Sequence, residues 1–311
     1  MHPVRSVLLA ASENRWMREH ATRLPIFRRA VKRFMPGERL EDALDAADTL
    51  RRDDRMATLL TRLGENVTEM AEADAVTEHY LEAADRIEER QLDTHISVKL
   101  TQLGLDIDPG RCRDHVRRLT ARAATQGAML WIDMEQHSYV DATLELYHAV
   151  LAEYANVGVC LQAYLYRTAK DLQAIIEAGG GVRLVKGAYK EPATVAYPKK
   201  VDVDSSYLVH ARTMIGADAQ ARGLRAVFGT HDVTIIDAIQ QHAKGTGVAN
   251  DAYEFALLYG IQRSVQQQLA REGHRLRVLI SYGDYWFPWY MRRLAERPAN
   301  VWFVARTMFA R

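Results

Sequence analysis

Cysteine is scarce in this chain of 311 residues: there are two, Cys112 and Cys160, far apart in sequence. That excludes a disulfide framework, and neither thiol sits in a metal-binding or redox spacing, so no metal is expected. A reducing, cytoplasmic setting is expected, with each cysteine an ordinary small apolar side chain. Long hydrophobic runs are missing too. The apolar stretch near the start, Val7 to Ala11, is too short for a secretion signal or a spanning helix, so at most peripheral membrane contact is expected. An excess of one charge is also absent, since 41 Lys and Arg face 40 Asp and Glu. Nothing in that balance points to a nucleic-acid partner. No low-complexity tract or obvious linker divides the chain.

What is present is apolar material, 48% of the residues, in short runs. Residues 1–52 read as a helical segment packed on the rest of the chain. Within them Leu40, Leu44, Ala47 and Leu50 form one stripe after the breaker Pro36-Gly37. From residue 53 to the end a unit recurs. Strand-like runs occupy 56–63, 95–100, 129–134, 157–164, 182–188, 226–230, 253–258 and 276–280. Helical stretches lie between them, such as 75–90, 112–126, 141–154, 169–178, 205–222 and 264–272. Alternation of this kind implies a parallel sheet, and eight repeats in about 250 residues is the size of a closed (βα)8 barrel. A doubly wound open sheet is the alternative, but no G-x-G-x-x-G fingerprint follows a strand. Gly179-Gly180-Gly181 precedes a strand, as a turn would.

In a barrel, chemistry sits on the loops at the C-terminal ends of the strands. The polar residues that close the runs are therefore the candidates: Glu65, Lys99, Asp133 with Glu135, Gln162, Arg183 with Lys186, Thr230-His231-Asp232, and Glu254. Charges at strand ends are costly to bury unless they pair or bind something. One alone could be a paired structural group; six strands that share the feature favour a site. A second cluster lies near the end of the chain. Between Pro288, suited to a first helical turn, and Pro298, which would stop it, Trp289, Arg292, Arg293 and Glu296 share one helical face. Two Arg forks can clamp a carboxylate or phosphate, although a solvated basic face has the same spacing.

These segments, taken together, resemble the proline dehydrogenase family. The carriers are Ile96-Ser97-Val98-Lys99-Leu100-Thr101-Gln102-Leu103-Gly104, Ile132-Asp133-Met134-Glu135, Leu161-Gln162-Ala163-Tyr164-Leu165-Tyr166-Arg167-Thr168 and Arg183-Leu184-Val185-Lys186-Gly187-Ala188-Tyr189. Gly229-Thr230-His231-Asp232 and Arg292-Arg293-Leu294-Ala295-Glu296-Arg297-Pro298 complete the order. The resemblance runs from about Glu38 to the last helix. It implies a distorted (βα)8 barrel with extra N-terminal helices and with the last helix over the barrel mouth. It also implies FAD at the C-terminal strand ends, hydride transfer from L-proline to the flavin to give Δ1-pyrroline-5-carboxylate, and electron delivery to a quinone. A separate pyrroline-5-carboxylate dehydrogenase would take the product.

By the same resemblance Lys99, Arg292 and Arg293 bind the substrate carboxylate, and Tyr189, Leu258, Leu279 and Trp289 line the substrate pocket. Asp133 is an active-site acid that orients the pocket. Arg183 lies beside the reactive flavin nitrogen. Met134, Gln162, Lys186, Gly187, Ala188, Thr230 and His231 contact FAD, with Gly187-Ala188 small enough for close backbone approach. Glu65 and Glu296 would pair with the Arg helix and gate the site. Three positions depart from the family pattern: Leu279 and Trp289 stand where tyrosines are usual, and Ala256 replaces a glutamine. They leave open a sibling activity on hydroxyproline or another cyclic secondary amine. An inactive barrel that serves as a binding protein is the reading from a different class.

Overall fold

The computed structural model describes residues 31–287 and 289–291. Arg292, Arg293 and Glu296, with the final helix expected over the barrel mouth, lie outside the described residues. Eight parallel strands close into a barrel in sequence order. They are β1 (Ala57–Arg62), β2 (Thr94–Val98), β3 (Leu130–Ile132), β4 (Val157–Gln162), β5 (Gly181–Val185), β6 (Arg225–Gly229), β7 (Glu254–Leu258) and β8 (Arg275–Tyr282). Closure is made by β1 on β8, with Ala57 opposite Arg277 and Arg62 opposite Tyr282. The eight expected runs each overlap one strand. Closure leaves no sheet edge, so each strand is buried on both faces and reads as a nearly continuous apolar run.

Helix α1 (Leu40–Asp54) precedes the barrel and packs on β1 and β8 through Leu40, Ala43, Leu44, Ala47 and Leu50. Each leucine so buried is worth about 2 kcal/mol. The outer ring continues with α2 (Met70–Glu89), α3 (Pro109–Ala124), α4 (Val140–Leu151) and α5 (Thr168–Glu177). It is completed by α6 (Lys200–Met214), α7 (Ala217–Ala221), α8 (Val233–Thr246) and α9 (Arg263–Arg271). Helix α3 starts where Pro109 takes the first position and the Asp108 side chain accepts the Arg111 N–H at 3.1 Å.

One difference from expectation has a local cause. The single helix expected over 205–222 is two, because the chain turns extended at Gly216, and the Gln220 side chain donates to the Ile215 carbonyl left at the break, at 2.7 Å. Helix α8 fills the interval between β6 and β7 and buries a stripe of Ile235, Ile236, Ile239 and Ala243.

Side chains alternate between the helix side of the sheet and the barrel interior. Leu59, Met129, Trp131, Val227 and Ala256, with Leu279 packed against them, form an inner apolar cluster separate from the outer core. Polar side chains flank that apolar layer on both sides of the interior. Toward the N-terminal ends lie His95, Arg225, Glu254 and Arg277. Toward the C-terminal ends lie Ser97, Asp133, Cys160 and Arg183. A satellite cluster of Val31, Phe34, Met35, Leu63, Trp286, Phe287, Trp289, Tyr290 and Met291 ties the residues before α1 to those after β8.

Candidate active site

The C-terminal end of the barrel gathers Lys99, Asp133, Gln162 and Arg183 from four neighbouring strands. Arg183 is its centre, buried at 4% exposure on β5. Its Nη2 donates to the Ser97 hydroxyl at 2.8 Å and to the Asp133 carboxylate, and its Nε donates to the Cys160 sulfur at 2.8 Å. Asp133 also accepts from Ser97 Oγ at 2.8 Å and faces Lys99 Nζ at 3.4 Å.

Burial alone would raise the Asp133 pKa, but Arg183 and Lys99, with the Ser97 hydroxyl, hold it below its ordinary value. Burial likewise works against the charged forms of Lys99 and Arg183. Asp133 together with smaller contributions from neighbours that include Glu65 and Glu135 more than offsets it for Lys99, while the contacts with Cys160 and Asp133 do so for Arg183, and both bases stay cationic. Next to them Glu135 is pushed up by burial, although Thr101 donates to it from Oγ1 at 2.6 Å and from its amide at 3.1 Å. Gln162 Nε2 donates to the Glu135 carbonyl at 3.0 Å and to the Met134 carbonyl at 3.4 Å.

Among the described residues, buried atoms at this end without a partner include Arg183 Nη1, a donor, Gln162 Oε1, an acceptor, and the hydroxyls of Thr61 and Ser281. A buried polar atom without a hydrogen bond costs about 1–3 kcal/mol, so such atoms need a ligand or water to complete them.

The loop after β5 forms one wall. Lys186 is gripped by Asp204 at 2.5 Å and Asp232 at 2.7 Å, and Lys200 binds the same two carboxylates. Gly187 has φ +113, and a Cβ there would lie 2.4 Å from the Tyr164 ring. The close approach that demands glycine is thus made to Tyr164 of this chain. Ala188 and Tyr189 continue the loop, half-buried. Thr230 is buried, and its Oγ1 accepts the Asp232 amide. His231 Nε2 accepts the Leu258 amide at 2.9 Å, which leaves the ring proton for Nδ1. Leu258 and Leu279 are register partners on β7 and β8. Glu65 is half-buried just beyond β1. Trp289 is buried in the satellite cluster.

Two expectations need correction. Glu254, expected to close its strand, opens β7 instead and so sits at the opposite end of the barrel, where it binds Arg277 Nε at 3.1 Å and Arg225 Nη2 at 3.3 Å. Cys160 is not merely a small apolar residue, because it holds Arg183; Cys112 is the ordinary buried thiol. Ser97, Cys160 and Trp131 are parts of the site that a search for strand-closing residues misses. The signal for them was the strand period, since each stands two residues before a chosen candidate: Lys99, Gln162 and Asp133.

Comparison with known proteins places the chain in a family. The profile described as "Proline dehydrogenase" covers residues 43–306 of the chain. The chain belongs to the proline dehydrogenase family. It is 37% identical over 307 residues to "Proline dehydrogenase 1" of Bacillus subtilis subsp. natto, which spans 97% of this chain and 98% of that relative. It is also 37% identical over 283 residues to the proline dehydrogenase of Deinococcus radiodurans, with 89% of each chain covered. Among solved structures, proline utilization A from Bdellovibrio bacteriovorus superposes with a TM-score of 0.79 at 24% identity. That match covers 99% of this chain and 38% of the longer protein, and it carries the fold alone. No helix among the described residues of this proline dehydrogenase family member is long and apolar enough to cross a membrane.

Proposed function

We propose that this chain oxidises L-proline to Δ1-pyrroline-5-carboxylate with bound FAD and passes the electrons to a quinone. The observation that carries the reading is the buried Arg183–Asp133–Lys99 cluster at the C-terminal end of the barrel, with Arg183 Nη1 and Gln162 Oε1 unpartnered beside it. One free donor and one free acceptor fit the edge of an isoalloxazine ring, which carries both kinds of group. Gln162, Arg183 and the loop of Lys186, Gly187 and Ala188 would hold that group, with Met134, Thr230 and His231 around it.

When bound, the flavin supplies the hydride acceptor. The chain supplies alignment and charge. Lys99, with Arg292 and Arg293, would take the substrate carboxylate and so fix the ring carbon that loses hydride. Asp133 stays ionised between Lys99 and Arg183 and keeps both pointed into the site. Glu65 and Glu296 would pair with the arginines over bound substrate, as a gate. A separate dehydrogenase would consume the product.

Anaerobic addition of L-proline to the purified protein tests this directly. A yellow protein that bleaches is expected; a protein without flavin colour overturns it. Arg292→Met or Arg293→Met should each weaken kcat/KM by about 2–5 kcal/mol through KM, as for loss of one partner of a buried charge pair.

A second reading is favoured by one feature. Leu279, opposite Leu258, packs with Ala256 in the inner apolar cluster, so this part of the interior offers no phenol. Discrimination against ring-substituted prolines should then be weaker by about 1–3 kcal/mol, and Leu279→Tyr should restore it. A strict preference for L-proline over 4-hydroxyproline that Leu279→Tyr leaves unchanged would refute this.

A further inference from the structure

We propose that Trp131 is a positioning residue for Arg183: the indole forms a floor that sets the plane of the guanidinium and leaves Nη1 as its free donor. The inference rests on the assignment of Arg183 to the flavin site. Trp131 is 1% exposed on the inner face of β3, two residues before Asp133. The Arg183 guanidinium carbon lies 5.5 Å from the centre of its ring, within cation–π range.

The neighbouring strand is built around that ring. Trp131 is paired in register with Gly158 on β4, and a Cβ at Gly158 would lie 2.5 Å from the indole. Any side chain there would push the ring away. Gly158 is in turn paired with Gly181 on β5, two residues before Arg183 on the same face. The space for the indole is thus cleared on the strand between Trp131 and Arg183.

The ring is also fixed from below. Its Nε1–H donates to His95 Nδ1 at 3.2 Å. That bond requires His95 to be neutral with its proton on Nε2. Burial, then Arg277, Arg225 and Arg183, holds its pKa well below the ordinary value. With the ring immobile, Cys160 on Nε and Ser97 and Asp133 on Nη2 complete a socket around Arg183. A guanidinium held on its face and two of its nitrogens has one nitrogen left, and Nη1 is the atom that lacks a partner.

The test uses the flavin-loaded enzyme and compares Trp131→Leu, Trp131→Phe, Gly158→Ala and Arg183→Ala. Flavin content, kcat, KM and the flavin midpoint potential are measured for each. Trp131→Leu should lower kcat about tenfold, between the sizes of an exposed and a desolvated cation–π contact, with KM nearly unchanged. The potential should fall by about 30 mV, which is tenfold for a two-electron couple. Trp131→Phe, which keeps an aromatic face, should recover most of both. Gly158→Ala should reproduce the loss without touching Trp131, and should add nothing once Trp131 is leucine. If Arg183→Ala lowers kcat and potential while Trp131→Leu or Gly158→Ala leaves both unchanged, the positioning role is wrong and the Arg183 assignment stands. A loss confined to KM also refutes the positioning role. If Arg183→Ala itself changes neither, the assignment fails and this inference with it.

Discussion

The two ends of the barrel interior carry similar charges and use them differently. At the N-terminal end Glu254 lies between Arg277 and Arg225, and Arg277 Nη1 also donates to the Thr58 carbonyl at 2.9 Å and to the Asp93 carboxylate at 3.0 Å. At the C-terminal end Asp133 lies between Arg183 and Lys99. The acid is more deeply enclosed below: the Glu254 side chain is 6% exposed and that of Asp133 is 19%. Arg277 spends its nitrogens on its own chain, whereas Arg183 keeps Nη1 unpaired. Arg225 Nε is the lower end's own unpaired atom, on a half-exposed residue. A charge cluster closed upon itself stabilises the fold, and one left open at a barrel mouth is available to a ligand.

The same chemical lesion should therefore read out differently at each end. Glu254→Gln removes the acid between two arginines, one of them buried, and should cost about 3–5 kcal/mol of unfolding free energy in denaturant titration. Activity per folded molecule should fall less than in Asp133→Asn, since Glu254 makes no hydrogen bond to Arg183 and acts on it only through its charge. A loss below about 1 kcal/mol would mean that the lower cluster is not a structural plug. Asp133→Asn should do the reverse. Steady-state kinetics should give a kcat/KM loss of about 2–5 kcal/mol, larger than the accompanying loss of stability; equal losses would erase the distinction between the ends.

Titration sharpens the contrast. His95 at the lower end has a folded pKa well below its ordinary 6.5. As pH falls below 6.5 the unfolded chain takes up a proton that the folded chain refuses, so stability falls. His95→Asn keeps an acceptor but cannot titrate, and should flatten the slope of unfolding free energy between pH 6.5 and 5 by about 1.4 kcal/mol per pH unit at most. His79, His210 and His274, also lowered, chiefly by burial, would keep part of the slope. Asp133 acts in the opposite window. Its folded pKa is depressed, so its contribution is complete above its ordinary 3.8 and is lost only as pH falls through the lower folded value. An unchanged slope in His95→Asn would show that His95 is already charged in the folded state.

The smallest expected effect is at Cys160. Burial pushes its pKa up to about 11 against the pull of Arg183, so it stays a neutral thiol. Cys160→Ser retains an acceptor for Arg183 Nε, and Cys160→Ala does not. The two should differ by about 1 kcal/mol in unfolding free energy, the worth of one hydrogen bond. Equal stability of the two would mean that the sulfur contact does not hold the guanidinium.

The order of amino acids was enough for the barrel. Eight short apolar runs alternating with amphipathic stretches admit few other closed cores, and each run overlaps a strand because burial on both faces demands apolar residues there. Lys99, Asp133, Gln162 and Arg183 were legible because a charge or amide at the end of such a run is costly without a purpose. Which end of the barrel each charge serves became definite only in three dimensions. Glu254 could not be assigned from sequence, since a strand's first residue and its last look alike until the boundaries are known. The same limit hid Ser97, Cys160 and Trp131, whose roles come from three different strands converging on Arg183. Only closure of the sheet brings together residues 36 to 86 positions apart in the chain.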